Sequence, residues 1–191
     1  GEKSGKDYTW LIDPLDGTKN FIHGYPQFGI SIAVAHHGRI EHGLVFDPLR
    51  DELFTASRGQ GARLNDRRIR VSHTPHLDRV LLGTGFPMRE IENMDPWLKT
   101  FRALLPKASG IRGAGAAALD LAHVAAGRFD GFWEMGLKPW DMAAGTLLVR
   151  EAGGLVADFD GGQEFLDSGN IVAANSVLFN EFLRVIHGRS R

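Results

Sequence analysis

Two carboxylates, Asp13 and Asp16, stand three residues apart in the string Trp10-Leu11-Ile12-Asp13-Pro14-Leu15-Asp16-Gly17-Thr18. Carboxylates held close together repel, and each raises the other's pKa unless a cation lies between them. Hard divalent ions such as Mg²⁺ prefer carboxylate and carbonyl oxygens, keep several waters and take phosphate oxygens. Gly17 and Thr18 follow at once. A helical turn opening there would offer free N–H groups to a phosphate, with the Thr18 hydroxyl in reach of a water. Asp-Pro and Asp-Gly are also common turn dipeptides, and Asp often caps helices. The whole six-residue string after an apolar strand is far more specific than either dipeptide.

A third acid, Asp141, lies behind Pro139 and Trp140 at the head of a helix-like segment. Alone it is an acid that suits the helix dipole. Taken with Asp13 and Asp16, it is a third metal carboxylate delivered from a distant part of the chain.

The elements that must position these groups fall into two halves. Residues 8–13 read as a buried strand, and the stretch from Asp16 to Gly24 as a turn with a short helix at most. The segments 28–36 and 39–47 form a hairpin about His37-Gly38, 51–58 continues the antiparallel pattern, and Asn65-Asp66 makes a turn between two short strands. After residue 80 the period changes. Strands are expected at 80–85, 128–136, 155–160 and 170–175. Helices are expected from Asp95, as N-cap before Pro96; over 115–127; from Pro139 to Gly153-Gly154; and after Ser176 as the cap of a terminal helix. A β-rich first half followed by a mixed second half predicts a layered α/β domain.

The bulk numbers agree with one globular domain and exclude several functions. Of 191 residues, 43% are apolar and 24% charged, and the net charge of −1 provides no global field for nucleic acid or anionic membranes. No apolar run approaches the roughly 18 residues that span a bilayer. The absence of cysteine excludes disulfides, thiolate metal sites and cysteine nucleophiles, and fits a cytoplasmic protein. The eight histidines show no metal-ligand spacing. Arg63, Arg67, Arg68 and Arg70 form a basic hairpin without interleaved aromatic rings, which favours a solvated ribbon over an RNA surface. Gly59 and Gly61 read as turn glycines.

Together, Asp13 to Thr18 and Trp140 to Gly145 resemble the paired signatures of the inositol monophosphatase family. The resemblance runs from about residue 8 to the end and includes residues 59–65, 118–136 and 151–154. It implies the layered αβαβα sandwich of inositol and sugar phosphatases. It also implies Mg²⁺-dependent, lithium-sensitive hydrolysis of inositol 1-phosphate or a similar small polyol phosphate by an activated water, in a homodimer. By the same resemblance, Asp13 bridges two metals, the Leu15 carbonyl ligates one, and Asp16 and Asp141 ligate the other. Gly17 and Thr18 bind phosphate, and Thr18 positions the attacking water. Gly115, Ala116 and Ala117 match the substrate-contacting helix start, with Ala116 in place of a frequent hydroxyl residue. Glu134 matches an acid that contacts inositol hydroxyls.

The departures from the family pattern bear on function. Lys19 after the Asp-Gly-Thr string is common in the related 3′-phosphoadenosine phosphate phosphatases, so that activity, or a fructose-1,6-bisphosphatase-like one, is the alternative. A regulatory protein binding RNA or the transcription machinery is the alternative of another class. Family members also carry helices before the first motif, with a Glu-Glu pair that supplies a metal ligand and an Asp that supports the Thr. Here the motif strand begins by residue 8, and Glu2 reads as part of the following loop. The expectation is a single domain over 1–191, N-terminally incomplete, that alone binds metal poorly and is weakly active or inactive.

Overall fold

Residues 29–36, Gly-Ile-Ser-Ile-Ala-Val-Ala-His, alternate small and large side chains, and in the structure the small ones are the buried ones. This inversion of the usual pattern has a packing cause: the sheet face carrying Gly29, Ser31, Ala33 and Ala35 lies close against helices. The structure is a computed structural model that describes residues 1–4, 7–88 and 91–188, with residues 2–4 described as backbone. The side chain of Glu2 therefore lies outside the described residues.

Strands β1 (Glu2–Ser4) and β2 (Tyr8–Asp16) precede a short helix, α1 (Thr18–Ile22). Strands β3 (Gly29–His36), β4 (Arg39–Asp47), β5 (Glu52–Ser57), β6 (Gly61–Leu64) and β7 (Arg67–Arg68) follow. Among the described residues these seven strands form one antiparallel meander in chain order. Its hairpins turn as expected: His37-Gly38 and Asn65-Asp66 both hold positive φ at both positions, the geometry whose twist matches the flanking strands.

The second half contributes β8 (Leu81–Thr84), α2 (Met94–Leu104), β9 (Gly110–Arg112), α3 (Ala117–Ala125), β10 (Gly131–Glu134), α4 (Pro139–Glu151), β11 (Gly154–Ala157), α5 (Phe165–Ser168), β12 (Ile171–Asn175) and α6 (Phe179–His187). Five of these elements make a mixed sheet in the order β11-β12-β10-β8-β9, with β8 parallel to both β9 and β10. Strand β9 is too short to give a period and was not expected. Helix α2 starts at Met94 out of a 3₁₀ turn at Ile91–Asn93, so Asp95 lies in its first turn and does not cap it. Helix α6 begins later than Ser176. The Asn175 carboxamide oxygen accepts the N–H groups of Val177 and Leu178, at 3.0 and 2.9 Å, and fixes the turn into it.

The small sheet separates two cores. Phe132, Ile171 and Ala173 face α3 and α4, whereas Trp133, Val172 and Ala174 face α2 and α6. The described layers thus run large sheet, α3 with α4, small sheet, α2 with α6. This is the layered α/β sandwich. Among the described residues, no helix is long and apolar enough to cross a membrane.

Candidate active site

β2 does not end at Asp13, as the periodicity predicts, but continues to Asp16 through a bulge. Asp13 pairs with Ser31 and Asp16 with Gly29, so three steps on β2 match two on β3. Pro14 sits in that bulge, where its missing N–H costs no ladder bond. The bulge closes with an Asx-type bond, the Leu15 N–H donating to Asp13 Oδ1 at 3.0 Å. Gly17 then takes φ 83°, and a Cβ there would stand 2.8 Å from the Gln27 carbonyl oxygen. Only glycine suits that turn.

Several bonds draw the distant segments together. The Thr18 hydroxyl donates to the Leu15 carbonyl at 2.8 Å. The Asn20 carboxamide N–H donates to the carbonyls of Gln27 at 2.7 Å and Ala114 at 2.9 Å, which brings the loop before α3 onto α1. Asp16 Oδ2 accepts the Ala118 N–H at 2.8 Å. The Ser31 hydroxyl donates to the Trp140 carbonyl at 3.1 Å, tying the head of α4 to the strand position opposite Asp13. Asp141 closes the first turn of α4 by accepting the Lys138 N–H at 2.9 Å.

The segments so gathered line one open cleft of about 560 Å³. Asp13, Leu15, Asp16, Gly17, Thr18 and Asp141 are in its lining, together with Gly115, Ala117 and Glu134, the last at the end of β10. Ala116 does not line the cleft; it is buried, and its carbonyl accepts the Asp120 N–H. Tyr25, Phe86 and Met88, which had no motif to announce them, give the rim an exposed apolar edge. Lys19 and Asn20 also reach the cleft.

The electrostatics are those of a crowded carboxylate site. Burial pushes the Asp16 carboxyl up to about 7, against the Ala118 N–H, and the charges of Asp13 and Asp141 push the same way. Asp120 on α3 is also buried, and its pKa is raised by burial and by the charge of Asp16. Neither of its oxygens has a hydrogen-bond partner among the described residues. Its signal in the sequence was an acid inside a helix apolar but for it and His123.

Among the described residues, no group of three or more His, Asp or Glu side chains is arranged to hold a metal ion as it stands. One oxygen each of Asp13, Asp16 and Asp141 is turned to a backbone N–H. The donor set nevertheless suits Mg²⁺: three carboxylates and a carbonyl border one cleft, and the repulsion felt by Asp16 is what a cation would relieve.

Comparison with known proteins places this architecture. The inositol monophosphatase family matches residues 1–190. The chain is 60% identical over 188 residues to a Nus factor SuhB of Pseudomonas aeruginosa, covering 97% of this chain and 69% of that protein. It is 48% identical to an inositol-1-monophosphatase of Mesorhizobium japonicum, covering 97% and 71%. The solved inositol monophosphatase of Anabaena superposes with a TM-score of 0.93 at 42% identity, over 98% of this chain and 75% of that one. With the motif residues gathered at one cleft of the same sandwich, the chain belongs to the inositol monophosphatase family.

Proposed function

We propose that this protein is a Mg²⁺-dependent phosphomonoesterase acting on inositol 1-phosphate or a similar small polyol phosphate. The observation that carries the reading is the meeting of Asp13, Leu15, Asp16, Gly17, Thr18, Glu134 and Asp141 in the lining of one cleft. Asp13, Asp16, Asp141 and the Leu15 carbonyl are the groups that would hold the metal. Bound there, Mg²⁺ supplies positive charge to a phosphate and acidifies a water.

The chain's own groups account for the rest. Thr18, held by its bond to Leu15, has an oxygen fixed to accept a hydrogen bond from a water and so orient that water's lone pair toward phosphorus. The turn at Gly17 brings backbone N–H groups to the phosphate side of the cleft, next to Thr18. Gly115 and Ala117 bound the leaving group, and Glu134 accepts hydrogen bonds from polyol hydroxyls. The volume fits a phosphorylated six-carbon polyol, since small-ligand pockets run from about 300 to 1,000 Å³. The 191 residues act as one domain, and the functional unit is a homodimer.

The test is phosphate release by the longest natural form of the protein, with Mg²⁺, on inositol 1-phosphate, 3′-phosphoadenosine phosphate and fructose 1,6-bisphosphate in parallel. We expect turnover of the inositol ester that chelator abolishes and lithium lowers. Asp16→Asn should abolish turnover and the Mg²⁺-induced rise in melting temperature, without lowering the melting temperature in chelator, because it removes a buried repelled charge. Turnover that persists in Asp16→Asn would sink the reading.

A second reading is favoured by the likeness to a Nus factor and by the exposed pair Arg67 and Arg68 on the edge strand β7. In it, the basic ribbon contacts the transcription machinery. Arg67→Glu with Arg68→Glu should then weaken binding to a transcription complex and leave phosphate release intact; unchanged binding rejects it.

A further inference from the structure

β8 and β10 run parallel, with Leu82 beside Gly131, Gly83 beside Phe132 and Thr84 beside Trp133. One step further along the pair, Gly85 comes alongside Glu134, and both line the cleft. A Cβ built on Gly85 would fall 1.9 Å from Glu134 Oε1, 2.0 Å from its Cδ and 2.3 Å from Oε2. The carboxylate therefore occupies the space that any side chain at position 85 would fill.

The seat beneath it is rigid. Thr84 is fully buried, its hydroxyl accepts the Trp97 indole N–H at 3.2 Å, and it donates to the Gly85 carbonyl at 3.2 Å. Trp97 is in turn stacked on Phe101, with ring centroids 4.9 Å apart. The conflict that a side chain would create thus falls on the flexible end of Glu134 and not on backbone. Gly85 is also absent from the positions of positive φ, so alanine there carries no backbone strain.

We propose that Gly85 is the positioning residue for Glu134, its missing side chain being what seats the carboxylate at the polyol end of the cleft. The proposal deepens the reading of Glu134 as a polyol contact and rests on that reading. It makes position 85 a determinant of specificity that acts through another residue, with no atom of its own on the leaving group.

The experiment compares, in the longest natural form of the protein, wild type, Gly85→Ala, Glu134→Gln and the double variant, with Mg²⁺, on inositol 1-phosphate and on p-nitrophenyl phosphate. Gly85→Ala should fold, with a melting temperature near that of wild type. Its KM for inositol 1-phosphate should rise about tenfold, the loss of one charge-assisted hydrogen bond, with kcat changed far less. The preference for inositol 1-phosphate over p-nitrophenyl phosphate should fall by the same factor. In the Glu134→Gln background the alanine should add nothing further, since the group it displaces has already lost its charge. An unchanged KM, full additivity with Glu134→Gln, or a failure to fold would each overturn the proposal. If wild type releases phosphate from neither ester, the phosphatase reading itself has failed. The seat can then still be judged from a crystal structure of Gly85→Ala, in which an undisplaced Glu134 carboxylate counts against it.

Discussion

His123 shows how far burial can move a single group in this chain. It lies on α3 between the rings of Phe54 and Phe129, and its Nε2 has no partner among the described residues. Burial, then the charges of Arg128 and Arg50, hold its pKa down to about 4. The unfolded chain takes a proton on this imidazole below about pH 6.5. The folded protein resists doing so until about pH 4. From His123 alone, the native state therefore loses nothing above pH 6.5 and up to about 3 kcal/mol as pH falls through that window. Asp16, pushed up to about 7, contributes with the opposite sign, since its buried charge is penalised as pH rises. The comparison must therefore be between wild type and His123→Leu, by urea denaturation at pH 7 and pH 4.5. The variant should lose less stability on acidification, and an equal loss would show that this imidazole titrates normally. Nothing in the residue's own neighbourhood in sequence announces this; the two rings and the arginines come from other elements or the following loop.

At the scale of elements, the pairing of α3 with α4 is decisive because each helix carries part of the cleft. The Ala118 N–H near the head of α3 holds Asp16, and the first turn of α4 carries Asp141. Their close approach depends on Gly145, where a Cβ would stand 2.5 Å from Leu121 Cβ. Alanine would add about 1 kcal/mol of helix propensity. Overpacking at so short a contact costs more, about 3 kcal/mol at the upper end of such insertions. Gly145→Ala should thus lower the urea midpoint by the equivalent of about 2 kcal/mol; a rise would mean the helices separate cheaply. Both helices were legible in the sequence from Ala-rich faces, Pro139 and the closing glycines. The bulge at Pro14 was not, because it is defined by register against β3, a partner the local pattern does not name. The caps of α2 and α6 were misplaced for a related reason: a 3₁₀ turn and Asn175, rather than Asp95 and Ser176, organise those entries.

For the whole molecule, the candidate site is a product of both halves. The meander supplies Asp13 to Thr18, and the mixed sheet with its helices supplies Gly85, Gly115, Ala117, Glu134 and Asp141. The motif residues could be read because each motif is short and carries its own turn chemistry. Gly85, Ser31, Asp120 and the aromatic rim could not, since their importance lies in what stands beside them in space. The layer order, with α3 and α4 held between two sheets, is what turns two separated strings into one cleft.

The small-residue face of the large sheet has a consequence for how the site could change over time. Gly43 on β4 lies so close to α4 that a Cβ would stand 3.0 Å from the Ala144 Cα, three residues along from Asp141. The sheet's back thus acts as a gauge that sets the height of the acid above the cleft floor. On the proposed function, variation at Gly43, Ala33 or Ser31 offers a selection experiment a way to retune metal affinity and substrate range in small steps, with every residue of the cleft lining left in place.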